Sequence, residues 1–105
     1  MSLAAEFTRL EQALAELIEL LQEENERHWA SYLSRALPDI AARRLAGATY
    51  VLGCYGGEDT LSDLIVARGA AAADPQGFAD INARLTAVRT RVFESASTIA
   101  SRRLW

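Results

Sequence analysis

His28 is the only imidazole in the chain and Cys54 the only thiol. A nucleophile and its base could be drawn from such a pair. Nothing in their spacing brings them together, and the residues favour a small buried thiol and a histidine facing solvent beside Glu24, Glu26 and Trp29. One histidine and one cysteine exclude a multi-histidine metal site, a four-thiolate zinc site and an intramolecular disulfide.

The most unusual local segment is Gly56-Gly57-Glu58-Asp59-Thr60-Leu61-Ser62-Asp63. Three carboxylates and a hydroxyl within six residues could hold a hard cation, but the spacing is not that of an EF-hand loop. Thr60 and Asp63 also have the spacing of a reciprocal helix cap, which gives the pair a structural job instead. A glycine pair raises the idea of a phosphate cradle. The P-loop pattern is missing and the chain has no lysine at all, so nucleotide hydrolysis is not expected. The reading is of no metal and no cofactor, with Gly56, Gly57, Thr60 and Asp63 either capping a helix or holding a small ligand.

These residues must be positioned by helices. Leu3, Phe7, Leu10, Leu14, Leu17 and Leu21 recur at spacings of four and three, a heptad seam on a first helix that should end near Asn25. The acids Glu23, Glu24 and Glu26 oppose the macrodipole there. A second helix is expected from about Arg27 to Ala36 with Trp29, Tyr32, Leu33 and Ala36 on its apolar face, and a break near Leu37 and Pro38. Ile40, Ala41, Leu45, Ala48, Val51, Leu52 and Tyr55 support one or two further helices, with Gly47 a bend. Gly56 and Gly57 supply a left-handed cap. Thr60 should open a short helix through Leu61, Leu64, Ile65 and Val66, a short buried strand being the alternative. Residues 68–73 form a small-residue connection, and Asp74-Pro75 caps a last helix carrying Phe78, Ile81, Leu85, Val88, Val92 and Ile99, with Ser95 where the seam would have been apolar.

The expected fold is all-α: one domain over 1–105, a four- to five-helix antiparallel bundle whose two long helices pack together over Trp29, Tyr32 and the middle helices. With 105 residues, half of them apolar and a quarter charged, the chain suits one small globular core. No stretch approaches the roughly 20 apolar residues of a membrane span, and Glu6 stands where a secretory signal would need basic residues. A cytoplasmic protein is expected.

The net charge of −3 conceals an asymmetry. Residues 1–26 hold seven acids and one base, and every other basic residue in the chain is a later arginine. The arginines are dispersed, which argues against nucleic acid as a partner and for a solvent face partly paired with the first helix. An acidic first helix would speed encounter with a basic protein partner.

Trp29-Ala30, followed by the run from Tyr55 to Val66, resembles an uncharacterised family of small bacterial helical proteins. Its members show Trp-Ala, then Gly-Gly-Met-Gly-Ser-x-Asn-Asp-Leu, then a C-terminal helix. The resemblance spans about residues 10–100 and keeps Trp29, Gly56, Gly57, Asp63 and Leu64, with Thr60 for Ser. Glu58 stands in place of Met and Asp59 in place of Gly. The resemblance brings no activity. The functional expectation is a non-enzymatic protein-binding module, most concretely a toxin-neutralising immunity protein. Glu16, Glu19, Glu23, Glu24 and Glu26 would occlude a basic cleft, and Trp29 or Tyr32 would act as an aromatic anchor. A homodimer driven by the heptad seams and a small-ligand protein using Gly56 to Asp63 are the alternatives.

Overall fold

A first helix, α1, spans Leu3–Glu23, in a computed structural model that describes residues 2–56 and 60–102. Ser2 opens it from extended backbone, its hydroxyl accepting from Ala5 N at 3.1 Å. The seam is buried from its second residue on: Phe7, Leu10, Leu14, Leu17 and Leu21 lie in the core, whereas Leu3, expected on the same seam, is exposed in the first turn. The end is fixed by backbone geometry as well as by charge. Asn25 adopts φ 62, Glu26 N donates to Leu21 O at 2.8 Å and Asn25 N to Gln22 O at 3.1 Å. This is a Schellman stop with Asn in the left-handed place usually taken by Gly.

Three short helices follow: α2 (Arg27–Ser34), α3 (Leu37–Ala41) and α4 (Leu45–Leu52). Pro38 sits in the first turn of α3, where its missing N–H is harmless. Arg43 repeats the Asn25 device at the end of α3, with φ 60 and Arg44 N donating to Asp39 O at 2.8 Å. Gly47 does not bend α4. It lies buried where a Cβ would come within 2.7 Å of Ile40 Cγ1, so it serves close approach of α3 and α4.

The last helix, α5, runs Pro75–Ser101 and is capped as expected, Asp74 Oδ1 accepting from Gly77 N at 3.0 Å. At about 1.5 Å per residue it covers most of the 50 Å long axis. It lies antiparallel to α1, with Arg91 facing Glu16 and Ser95 facing Ala13. Leu85, Val88, Val92 and Ile99 close over the α1 leucines. Each fully buried leucine contributes about 1.5–3 kcal/mol by leaving water. The α2 and α3 helices pack on α1, and α4 packs on both α3 and α5. The result is an all-α bundle with no strand among the described residues. The buried stretches of the two seams, Phe7 to Leu21 and Leu85 to Ile99, share one core inside the chain. Trp29 and Tyr32 are only half-buried, at the edge of the core rather than beneath the long helices.

The segment after Thr60 is neither the expected helix nor a strand. Leu61–Asp63 makes one 3-10 turn, Leu64–Ala67 continues without helical structure, and a second 3-10 turn follows at Arg68–Ala70. The anchoring that replaces a helix comes from α5.

Candidate functional site

Two parts of the chain meet in a hollow of about 220 Å³ lined by Trp29, Thr60, Asp63, Leu64 and Arg68. One wall is α2. Ala30 and Leu33 bury the helix against the core, and Trp29, beside Ala30 on the rim of that face, is left half-exposed. Tyr32 meets the indole edge-on at 5.9 Å and His28 does so at 5.4 Å.

The other wall is the segment from Thr60 to Arg68, which α5 holds at several points. Val66 N donates to Asn82 Oδ1, and Asn82 Nδ2 donates to Val66 O, each at 2.9 Å. Arg89 donates through Nη1 to Leu61 O at 2.9 Å and Leu64 O at 3.1 Å. Tyr55 in turn donates its hydroxyl to Arg89 O at 2.7 Å. Leu61 and Val66 are fully buried beneath this strap. Immediately after Val66, Ala67 takes the left-handed φ of 57 and turns the chain so that Arg68 borders the hollow. A non-glycine residue there stores roughly 1 kcal/mol of strain.

The reciprocal cap expected of Thr60 and Asp63 is not formed. Thr60 makes no side-chain cap, its hydroxyl pairing with Ser62 Oγ at 2.8 Å, and Ser62 Oγ accepts from Gly56 N at 3.3 Å. The Asp63 side chain is therefore released from structural duty. Among the described residues it has no hydrogen bond or ion pair, and the same holds for the side chains of Trp29 and Arg68.

Of the residues singled out in the sequence, the fold thus brings together Trp29, Thr60 and Asp63. Gly56 adopts φ 88 but caps no helix, since α4 ends at Leu52 and the chain turns through Gly53, Cys54 and Tyr55 first. It lines a different hollow with Tyr55, Ser62, Arg89, Thr90 and Phe93. Gly57, Glu58 and Asp59 lie outside the described residues. Tyr32 stacks on Tyr50 at 5.0 Å, and Tyr50 donates its hydroxyl to Tyr32 O at 2.9 Å, so this ring is tied into the α2 to α4 contact. Arg68, Asn82 and Arg89 were missed. The sequence presents Arg68 as part of a connection and Arg89 as one of several surface arginines, and no local signal marks either.

The acids of α1 and of the turn after it divide into two groups. Glu6, Glu11 and Glu16 are paired within the molecule, with Arg9 at 2.6 Å, Arg43 at 3.4 Å and Arg91 at 2.8 Å. Glu19, Glu23, Glu24 and Glu26 have no such partner among the described residues. At about 100° per residue, Glu16, Glu19 and Glu23 fall within a 60° arc opposite the buried seam. The unpaired acids therefore sit at the end of α1 that leads into Trp29, and Glu16 is drawn away toward α5.

His28 and Cys54 are not joined. The His28 ring touches Trp29 and Tyr32, while Cys54 is buried with its Sγ donating to Tyr50 O at 3.7 Å. Burial pushes the thiol up to about 11, which keeps it protonated and unreactive at neutral pH. No group of three His, Cys, Asp or Glu side chains is placed to hold a metal ion among the described residues. No helix among them is long and apolar enough to cross a membrane.

No family model, no curated protein and no solved structure matches this chain.

Proposed function

We propose that the chain is a non-enzymatic protein-binding module whose recognition face is the end where α1 passes into α2. The observation that carries this reading is the division of the acids of α1 and the turn after it: Glu6, Glu11 and Glu16 are paired with arginines, whereas Glu19, Glu23, Glu24 and Glu26 have no ion-pair partner among the described residues. A rigid helix that presents unpaired carboxylates accelerates encounter with a basic surface. Trp29, half-buried three residues beyond Glu26, is the adjacent aromatic anchor. Glu16 and Tyr32 contribute less, because each is already engaged inside the molecule. Toxin neutralisation in the cytoplasm, by occlusion of a basic cleft, is the most concrete form of this activity.

The test is hydrogen exchange on the complex copurified from the native host. Protection confined to about residues 19–33 supports the reading. Protection confined to α3, α4 and the C-terminal half of α5 would overturn it.

A further inference from the structure

The Trp29 hollow sets two opposite charges on one small cavity without letting them neutralise each other. Asp63 and Arg68, both exposed residues, line it, yet neither forms an ion pair with the other or with any other described residue. Trp29 lines the same space and its indole donates no hydrogen bond among the described residues, and Leu64 adds an apolar wall. The volume of about 220 Å³ falls short of the roughly 300–1,000 Å³ of drug-sized sites. That leaves room for a ligand smaller than this class, such as a single amino acid.

We propose that this hollow binds a free α-amino acid with an apolar side chain, the ammonium on Asp63, the carboxylate on Arg68, and the side chain against Trp29 and Leu64. The charge arrangement selects this class. A simple anion would gain Arg68 but face the Asp63 carboxylate, and a simple cation would face Arg68. A neutral apolar molecule would take water from both charges without replacing it, which is unfavourable. A zwitterion answers both at once, and guanidinium to carboxylate is a strong charge-assisted pairing.

The backbone that carries Asp63 and Arg68 is anchored to α5. Asn82 fixes Val66 on both backbone groups, Arg89 fixes the carbonyls of Leu61 and Leu64, and the left-handed Ala67 sets the direction of Arg68. A site whose supports are locked before the ligand arrives loses less free energy to ordering when it binds. This inference shares Trp29 with the proposed recognition face but rests on Asp63 and Arg68 and on none of that face's carboxylates, so either can fail without the other.

The test uses Trp105→Phe, which leaves Trp29 as the only indole of the two in the chain. Its fluorescence is titrated with L-leucine, N-acetyl-L-leucine and L-leucinamide in that background and in its Asp63→Asn and Arg68→Gln derivatives, each checked for helicity by circular dichroism. L-leucine is expected to give a saturable change, with both blocked forms weaker by about tenfold or more, as for loss of a charged hydrogen bond. Asp63→Asn should erase the penalty for acetylation and Arg68→Gln the penalty for amidation. Absence of saturation by about 20 mM L-leucine, a range that covers weak millimolar binding, would overturn the proposal. So would penalties that persist unchanged in both derivatives.

Discussion

The carboxamide of Asn82 pairs with both backbone groups of Val66, accepting from its N–H and donating to its carbonyl at 2.9 Å each. A helix side chain thereby gives a buried residue outside any helix partners for both of its backbone groups. The same Nδ2 also reaches Phe78 O at 2.9 Å, so the amide is fixed in its own helix as well.

Replacing Asn82 by Ala should leave the N–H and carbonyl of fully buried Val66 without partners. The expected loss is about 2 kcal/mol, within the range for buried polar groups left unpaired. Asn82→Asp should be comparably harmful, because a carboxylate cannot donate to Val66 O. Urea unfolding with a common slope measures both, and Trp29 emission should shift as the wall of the hollow loosens.

Gly47 and Gly69 make a contrasting pair. A Cβ at Gly47 would meet Ile40 Cγ1 at 2.7 Å and Ile40 N at 3.0 Å, whereas one at Gly69 would meet nothing within 4 Å. Gly47→Ala is therefore expected to destabilise by about 1–3 kcal/mol through overpacking. Gly69→Ala is expected to be neutral, or stabilising by up to about 1 kcal/mol through a stiffer unfolded chain. Thermal melts of the two variants decide this.

Arg43 and Asn25 hold the same left-handed conformation with different side-chain duties. Arg43 reaches Thr8 Oγ1 at 3.0 Å, Glu11 at 3.4 Å and Ile40 O at 3.0 Å, while the Asn25 side chain makes no contact of this kind. Asn25→Ala should cost about 1 kcal/mol, from backbone strain alone. Arg43→Gly relieves a similar strain but loses the tie to α1, so it should not raise the unfolding temperature. A clear rise in Arg43→Gly would mean that those guanidinium contacts contribute nothing.

Cys54 introduces a pH dependence of defined sign. Burial raises its thiol from 9.0 to about 11, so the folded chain keeps a proton that the unfolded chain releases between those values. The stabilising contribution is complete below pH 9.0 and is lost as pH climbs toward about 11. Tyr55, whose phenol is likewise pushed up chiefly by burial, acts in the same direction. Cys54→Ala should lose less stability than the parent chain between about pH 8 and about pH 10.5, as linkage requires. In the folded parent, thiol reagents at neutral pH should label Cys54 far more slowly than in urea.

The two long helices were legible because their determinants are local. Leucines recur at three and four from Leu10 to Leu21, Asp74-Pro75 starts α5, and Asn25 and the acids end α1. Residues 60–68 were not legible, because what holds them is distant in sequence. Asn82 lies 16 positions from Val66, and Arg89 lies 28 from Leu61. Local spacing suggested a cap from Thr60 and Asp63, and tertiary bonds to Leu61, Leu64 and Val66 draw the chain into a 3-10 turn instead. Trp29 and Asp63 were recognisable as unusual residues, but their meeting in one hollow depends on that strap.

The charge asymmetry along α1 is tested most directly by the association rate between this chain and its copurified protein partner. Glu19, Glu23 and Glu26 are changed together to Arg, and the rate is followed by stopped flow at low and high salt. The account predicts association slower by about tenfold or more at low salt, with a shallower salt dependence, as for loss of electrostatic steering. An unchanged rate and an unchanged salt slope would contradict it.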